Sequence, residues 1–266
     1  MALAVFSAGP ATGADCKDQW VCIDRVRQGG DTELRARNLR EYPITYTLRL
    51  ELQDMTIDGP REVTSTLAPN QSESVMVIRG GAGKKGKIYS FDWTIGDKDA
   101  VHDDDHLYSM PYESGKTYRV LQGYRSRFSH TGLEEFAIDF DMRVGTPVHA
   151  ARGGVVARVV ESNTRGCWET GCGRYANFIV VLHNDGTTGE YYHLKKDGAL
   201  VEVGDSVSQG QKIGYSGNTG HTTMPHLHFA VYRATRDGET QSIPVRFQAA
   251  DGIIKRPRRG GRYQAL

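Results

Sequence analysis

Residues 224–231 read MPHLHFAV, and this stretch predicts both a strand and a site. The apolar residues after the second histidine favour the extended state, in which side chains two apart point to the same face. His226 and His228 would therefore project into the same space. A pair of imidazoles on one strand face is more typical of a metal or catalytic site than a lone histidine is.

The sequence around this stretch consists of short apolar runs separated by tight turns. From residue 117 onward, runs such as EFAIDF, GGVVARVVE and NFIVVLHNDG have the lengths of strands, and pairs such as Asp185-Gly186 supply turn chemistry. We therefore predict an all-β domain at residues 117–245. Residues 246–266, which include the locally basic IKRPRRGGR, are interpreted as a solvated C-terminal tail.

The first half of the chain has a different residue pattern, which also predicts β structure. Runs such as TELRARNL, ITYTLRLEL and SVMVIRG alternate apolar and polar residues, and no helical period persists. The pattern predicts an immunoglobulin-like antiparallel β-sandwich at residues 16–116. Near its end lies HDDDH, residues 102–106, which we interpret as a solvated linker.

Composition narrows the function classes. The 266 residues include 33 Lys+Arg and 32 Asp+Glu, and a formal charge of +1 gives no reason to expect nucleic acid as a partner. No run approaches the roughly 18 to 20 apolar residues of a membrane span. The start, MALAVFSAGPATGAD, resembles the later part of a secretory signal, so residues 1–15 are interpreted as a signal remnant of a periplasmic or secreted protein.

The four cysteines form two local pairs, Cys16 with Cys22 and Cys167 with Cys172. Four cysteines allow three disulfide connectivities, and the two local bridges are favoured because small loops close most readily. An exported protein would make such bridges natural.

Four polar residues on or beside predicted strands could carry chemistry: Asp139, His193, His226 and His228. Hydrolytic zinc sites use about three protein ligands and keep a position open for water. One carboxylate and several imidazoles suit this requirement, with extra histidines available to orient the water or stabilise an oxyanion.

Three segments, GTPVHAARGGVVARVV, YYHL and VEVGDSVSQGQKIGYSGNTGHTTMPHLHFAV, together resemble the lysostaphin-type, LytM-like zinc endopeptidases that hydrolyse peptidoglycan. The likeness runs from about His130 to Tyr232. It implies a compact antiparallel β core with a groove, one zinc ion (Zn2+), and cleavage of peptidoglycan peptides in the bacterial cell wall.

The resemblance assigns roles to the four residues. Asp139 and His228 match zinc ligands, whereas His193 and His226 match the two histidines that are not ligands. These two would position the water and steady the developing oxyanion.

One position departs from the family pattern. The first motif is usually H-x-x-x-D, but Glu135 stands four residues before Asp139. His130 could reach the ion from a longer loop that Gly132 makes flexible, Glu135 could bind zinc itself, or the site could be broken. We favour His130.

A broken site would imply another function. Family members without zinc ligands are regulators that bind and activate cell-wall amidases, so this is the alternative to the hydrolase. Of the other histidines, His149 and His183 are expected to be structural or solvated, while His221, in the loop before HLH, has a substrate contact as its alternative.

Overall fold

The computed structural model describes residues 11–51, 56–57, 59–79 and 89–266. The chain divides into two compact units: an N-terminal unit, Met1–Lys98 with Ala234–Glu239, and a C-terminal unit, Asp99–Arg233 with Thr240–Leu266. Residues 1–10 of the predicted signal remnant lie outside the described residues, and the remaining five belong to the first strand.

The described part of the N-terminal unit forms two antiparallel sheets. One sheet has the order β1-β2-β3-β7-β5 and the other has the order β6-β4-β8. The strands are β1 (Ala11–Lys17), β2 (Val21–Gln28), β3 (Asp31–Asn38), β4 (Ile44–Leu50), β5 (Thr56–Ile57), β6 (Glu62–Leu67), β7 (Ser72–Arg79) and β8 (Tyr89–Ile95).

Side chains from these two sheets pack against each other. The ring of Trp20, in the β1–β2 turn, stacks on Trp93 of β8 with centroids 4.6 Å apart. Tyr46 of β4 donates a hydrogen bond to Glu73 of β7. The two-sheet arrangement agrees with a sandwich, and immunoglobulin-like connectivity stays a prediction.

The C-terminal unit is also β structure, with two short 3₁₀ turns at Gly132–Glu134 and Cys172–Tyr175. The prediction of an all-β chain is therefore confirmed. The strands are β9 (Leu107–Ser109), β10 (Thr117–Gln122), β11 (Ile138–Phe140), β12 (Pro147–His149), β13 (Gly154–Val160), β14 (Gly166–Cys167), β15 (Phe178–Leu182), β16 (Thr188–Tyr192), β17 (Leu194–Ala199), β18 (Ser206–Val207), β19 (Lys212–Ser216), β20 (Gly220–His221), β21 (Leu227–Ala234), β22 (Thr240–Ile243), β23 (Arg246–Ala249), β24 (Gly252–Ile254) and β25 (Arg262–Gln264).

The main sheet of this unit has the order β18-β13-β15-β16-β21-β11-β10-β25, with β22 paired to β21. Smaller sheets have the orders β12-β19-β17, β14-β20 and β24-β23-β9. Phe140 of β11 and Phe229 of β21 are fully buried on one face of the main sheet. Because side chains alternate along a strand, Asp139 and His228 project from the other face.

Two segments near the ends of this unit have a different structure from the one that the sequence predicted. Residues 99–116, which the sequence placed in the N-terminal domain, belong to the C-terminal unit. Residues 246–266 form β23 to β25 instead of an unstructured tail, because β25 pairs with β10 and β23 pairs with β9. In the described ranges, no helix has the length and apolarity that a membrane crossing requires.

Both predicted disulfides are present. Cys16 and Cys22 are paired across the β1–β2 hairpin, and Cys167 is joined to Cys172 in the loop after β14.

Candidate active site

Adjacent strands bring the predicted site residues together. Asp139 on β11 lies directly opposite His228 on β21, and His228 in turn lies opposite Tyr192 on β16. On the other side of β11, Gln122 of β10 is the partner of Asp139 and donates its Nε2 hydrogen to Asp139 Oδ2 at 2.6 Å. The register of four strands therefore builds the centre of the site.

His130 reaches this centre from the loop between β10 and β11. Its side chain is buried, with Nε2 3.2 Å from Asp139 Oδ1, and its ring centroid is 5.4 Å from that of His228. No described residue makes a hydrogen bond of good geometry with Nε2, although it contacts the Asp139 carboxylate, whereas Nδ1 lies 3.3 Å from the carbonyl oxygen of Gly123. A buried imidazole nitrogen without a partner is costly unless something else occupies it.

The three side chains His130, Asp139 and His228 could hold a metal ion together. Their candidate ligand atoms all lie within 4.8 Å of one another, and His228 Nδ1 is 3.0 Å from Asp139 Oδ1. Two imidazole nitrogens and one carboxylate oxygen form a donor set that suits zinc, and the unpartnered Nε2 of His130 agrees with it.

Glu135, the other candidate ligand, lies elsewhere. Its Oε2 atom is 3.2 Å from Nε of Arg125, and it is absent from the potential metal groups among the described residues. The charge of Glu135 is thus neutralised by a guanidinium.

His193 and His226 complete the cluster. Their ring centroids are 4.5 Å apart, and His226 Nε2 lies 3.7 Å from Asp139 Oδ1. His193 directly follows β16 with a φ of 64°, a left-handed conformation that is uncommon outside glycine, so its placement depends on the surrounding structure.

The hydrogen bonds of these two histidines decide their tautomers. His193 Nδ1 lies 2.7 Å from the carbonyl oxygen of Thr219, and His226 Nδ1 lies 2.8 Å from that of Met224. Since a carbonyl oxygen only accepts, Nδ1 donates in both rings and Nε2 keeps the lone pair. Burial lowers the pKa of His193 to about 3 and also lowers the pKa of His226, so both rings are neutral at pH 7.

At Asp139 and His228, unlike at His193 and His226, the pKa shifts favour the charged forms. Burial alone would raise the pKa of Asp139, but contacts with His130 and His228 hold it well below its usual value. Burial alone would lower the pKa of His228, but hydrogen bonds to Asp139 and Glu134 raise it to about 10. The surroundings of His228 therefore favour positive charge.

The sequence analysis missed three polar residues around the centre: Gln122, Glu134 and Tyr232. Tyr232 donates to Glu134 Oε2 at 2.6 Å, and both contact Nε2 of His228, at 3.2 Å from the Tyr232 hydroxyl and 3.5 Å from Glu134. Tyr232 shares a strand face with His228, and this period of two could have identified it. Nothing in the sequence pattern singles out Glu134 or Gln122.

A cavity of about 820 Å³ opens over the cluster. One wall consists of three stacked aromatic rings: Trp168 lies between Phe128, 5.2 Å away, and His221, 4.1 Å away. The Cys167–Cys172 disulfide closes the loop that carries Trp168. His221 thus lines the cavity, and its contact with substrate stays a prediction.

The remaining sequence candidates lie outside this cavity. His149 Nδ1 donates to the carbonyl oxygen of Gly210 at 2.8 Å, and His183 is buried with Nδ1 2.9 Å from Thr187 Oγ1. In HDDDH, His102 contacts Asp104 and the hydroxyl of Tyr108, and no metal-capable group is found there among the described residues.

Comparisons with known proteins match a large part of the chain that builds the cavity. Residues 134–242 match peptidase family M23. The chain is 37% identical over 125 residues to lysostaphin of Staphylococcus simulans, covering 47% of this chain and 23% of that protein. It is 34% identical over 122 residues to the peptidoglycan DD-endopeptidase ShyA of Vibrio cholerae, covering 44% of this chain and 26% of the relative.

Among solved structures, the chain is similar to the catalytic domain of lysostaphin from Staphylococcus simulans. The identity is 32%, with 48% of this chain and 87% of that one covered, and the TM-score is 0.34. The chain therefore spans about a quarter of the length of the two curated relatives, and the family match begins four residues after His130.

Proposed function

We propose that the chain is a zinc-dependent endopeptidase that hydrolyses amide bonds in peptidoglycan peptides, and the match of residues 134–242 to peptidase family M23 supports this. The observation that carries the proposal is the convergence of His130, Asp139 and His228 within 4.8 Å, in a cavity that also contains His193 and His226. Lysostaphin and ShyA, which the chain resembles, support the substrate class.

His130, Asp139 and His228 would hold the ion. We prefer His130 to Glu135 because its Nε2 is buried beside the Asp139 carboxylate, whereas Glu135 is paired with Arg125. When bound, zinc supplies Lewis-acid activation of water and of the scissile carbonyl group. Gln122 fixes the orientation of the Asp139 carboxylate, and Glu134 and Tyr232 fix the ring of His228.

His193 and His226 would move protons. Each presents an Nε2 lone pair, so one of them accepts a proton as the water oxygen attacks the carbonyl carbon. The resulting imidazolium stabilises the developing oxyanion by its charge and then donates its proton to the leaving nitrogen as the C–N bond breaks. Water, proton and leaving amine are thereby balanced without another reactant.

The proposed location is the periplasm or the exterior of the cell. The two disulfides support an oxidising compartment, and peptidoglycan lies outside the cytoplasmic membrane. The N-terminal unit shows no catalytic cluster in its described residues, and we assign it no role.

A direct test measures zinc content and peptide release from purified peptidoglycan with the full chain. We expect one zinc per chain and release that a chelator abolishes. In the same assay, His193→Ala should keep zinc but turn over about 100-fold more slowly, as for loss of an acid–base group. Full turnover in that variant would exclude His193 from the chemistry.

The competing function is a regulator that binds and activates a cell-wall amidase. It would be favoured by a folded chain that lacks zinc, releases no peptide and raises the activity of an added amidase. A geometrically complete donor set weighs against this alternative.

A further inference from the structure

The basic segment near the C-terminus is not a free tail. Lys255, Arg256, Arg258, Arg259 and Arg262 are all exposed, and no acidic residue occurs after Asp251. None of the five forms an ion pair with a described residue. Of these cationic side chains, only Arg259 lines the cavity over the histidine cluster.

Backbone hydrogen bonds hold Arg259 in place. The N–H of Gly260 donates to the carbonyl oxygen of Val120, and the N–H of Val120 donates to the carbonyl oxygen of Gly261, both at 2.8 Å. The turn requires glycine at residue 260, where φ is 82°. Arg259 is therefore fixed against β10, the strand whose Gln122 contacts Asp139.

The charges around the cavity point to an anionic ligand. Arg119 on β10 also lines the cavity and lies directly opposite Arg262 on β25, although like charges across strands are unfavourable. Asp141 offsets Arg119 with a contact of 3.3 Å. Arg259 has no such partner among the described residues.

The acidic groups of the cavity are already engaged. Glu134 accepts a hydrogen bond from Tyr232, Glu190 accepts one from Tyr192, and Asp139 is surrounded by imidazoles. Among the described charged residues that line the cavity, Arg259 alone has neither an ion pair nor a side-chain hydrogen bond.

We propose that Arg259, on the wall that Arg119 also lines, binds a free carboxylate of the peptide substrate, so that the cavity selects acidic peptides over their amidated forms. This inference rests on the proposed function and deepens it. A guanidinium matches a carboxylate with two parallel N–H···O bonds, which a carboxamide cannot reproduce with the same charge. Arg259 is thus a specificity residue.

The test uses two wall-derived peptides that differ only in a carboxylate or carboxamide group. Their affinities for the full chain as purified, with its metal content unaltered, are measured by calorimetry, and both peptides are cleavage products so that no bond is cut. We expect the wild type to bind the carboxylate form about 10-fold more tightly, the ratio typical of one charge-assisted hydrogen bond. Arg259→Gln should bind both peptides equally.

Arg256→Gln is the matched control, because it removes the same charge from the same segment at a residue that does not line the cavity. It should keep the wild-type preference. An unchanged preference in Arg259→Gln, or no preference in the wild type, would overturn the proposal.

A phosphate-bearing polyanion serves as the competing ligand. Equal losses of its binding in Arg256→Gln and Arg259→Gln, together with no peptide preference, would indicate a diffuse polyanion surface and also overturn the carboxylate site. Because affinity is read without cleavage, a failure of the hydrolase proposal stays distinguishable: peptide preference without zinc-dependent release would refute only the enzyme.

Discussion

The C-terminal unit contains two buried clusters of histidine and aspartate, and an arginine completes only one of them. At Asp185 the cation is Arg152, whose Nη1 atom lies 2.6 Å from Oδ2 of Asp185 and 3.0 Å from the hydroxyl of Tyr108. At Asp139 the neighbours are imidazoles, with no arginine or lysine in an ion pair among the described residues.

This difference separates a structural cluster from a candidate metal centre. A buried carboxylate is stable only beside a positive charge. Arg152 supplies that charge to Asp185, so this cluster requires no bound cation. Around Asp139, histidines offset the carboxylate charge only in part. The cluster can therefore bind a metal cation that is not part of the chain. The predictions below test this contrast, from the largest expected effect to the smallest.

The largest effect is expected for His228→Ala. Removing one of three ligands from the Asp139 cluster should abolish zinc binding and peptide release together. Zinc is measured by metal analysis of the purified chain and release by chromatography of soluble peptides. His149→Ala, at a histidine outside the cavity, should retain both; full zinc content in His228→Ala would refute the ligand assignment.

The first ligand is tested by comparing His130→Ala with Glu135→Gln. We expect His130→Ala to lose zinc affinity by at least about 10- to 100-fold, a lower bound set by the effect of losing a supporting residue near a metal. Glu135→Gln should bind zinc like the wild type, since its carboxylate faces Arg125. Competition with a chromophoric chelator measures both affinities, and the reverse result would make Glu135 the ligand.

Disrupting the Arg152–Asp185 pair should lower the free energy of unfolding. Asp185→Asn keeps the shape of the side chain but leaves the Arg152 guanidinium buried without a counter-charge, which costs about 3 kcal/mol. Urea unfolding gives the change, and zinc content should remain stoichiometric. Asp197→Asn, at an exposed carboxylate, is the control and should change stability by less than about 0.5 kcal/mol.

The smallest effect concerns pH. Burial, reinforced by the charge of Arg152, lowers the pKa of His183 to about 3 from 6.5. Between pH 6.5 and 5 the unfolded chain takes up a proton that the folded chain excludes, so the free energy of unfolding falls by roughly 1.5 kcal/mol as the pH drops across that interval. His183→Gln should show a shallower decline between pH 6.5 and 5 in urea unfolding. Parallel declines in both proteins would mean that His183 does not contribute.

Much of this architecture could be predicted from local sequence. Period-two alternation and glycine turns identified β structure throughout, and two short loops identified both disulfides. The HLH motif at residues 226–228 by itself predicted that two imidazoles lie close together. The tail was misjudged because a basic, proline- and glycine-containing segment gives no sign that β10 offers it a partner.

What local sequence determined is therefore the class of fold and most of the chemically active side chains, because strand period and residue type are properties of short segments. Tertiary structure alone decided that His130 approaches Asp139 while Glu135 turns to Arg125, since the fifteen-residue loop between β10 and β11 has many conformations of similar local energy. It also placed Arg259 in the cavity, because strand pairing across more than a hundred residues is a long-range event that no local pattern records.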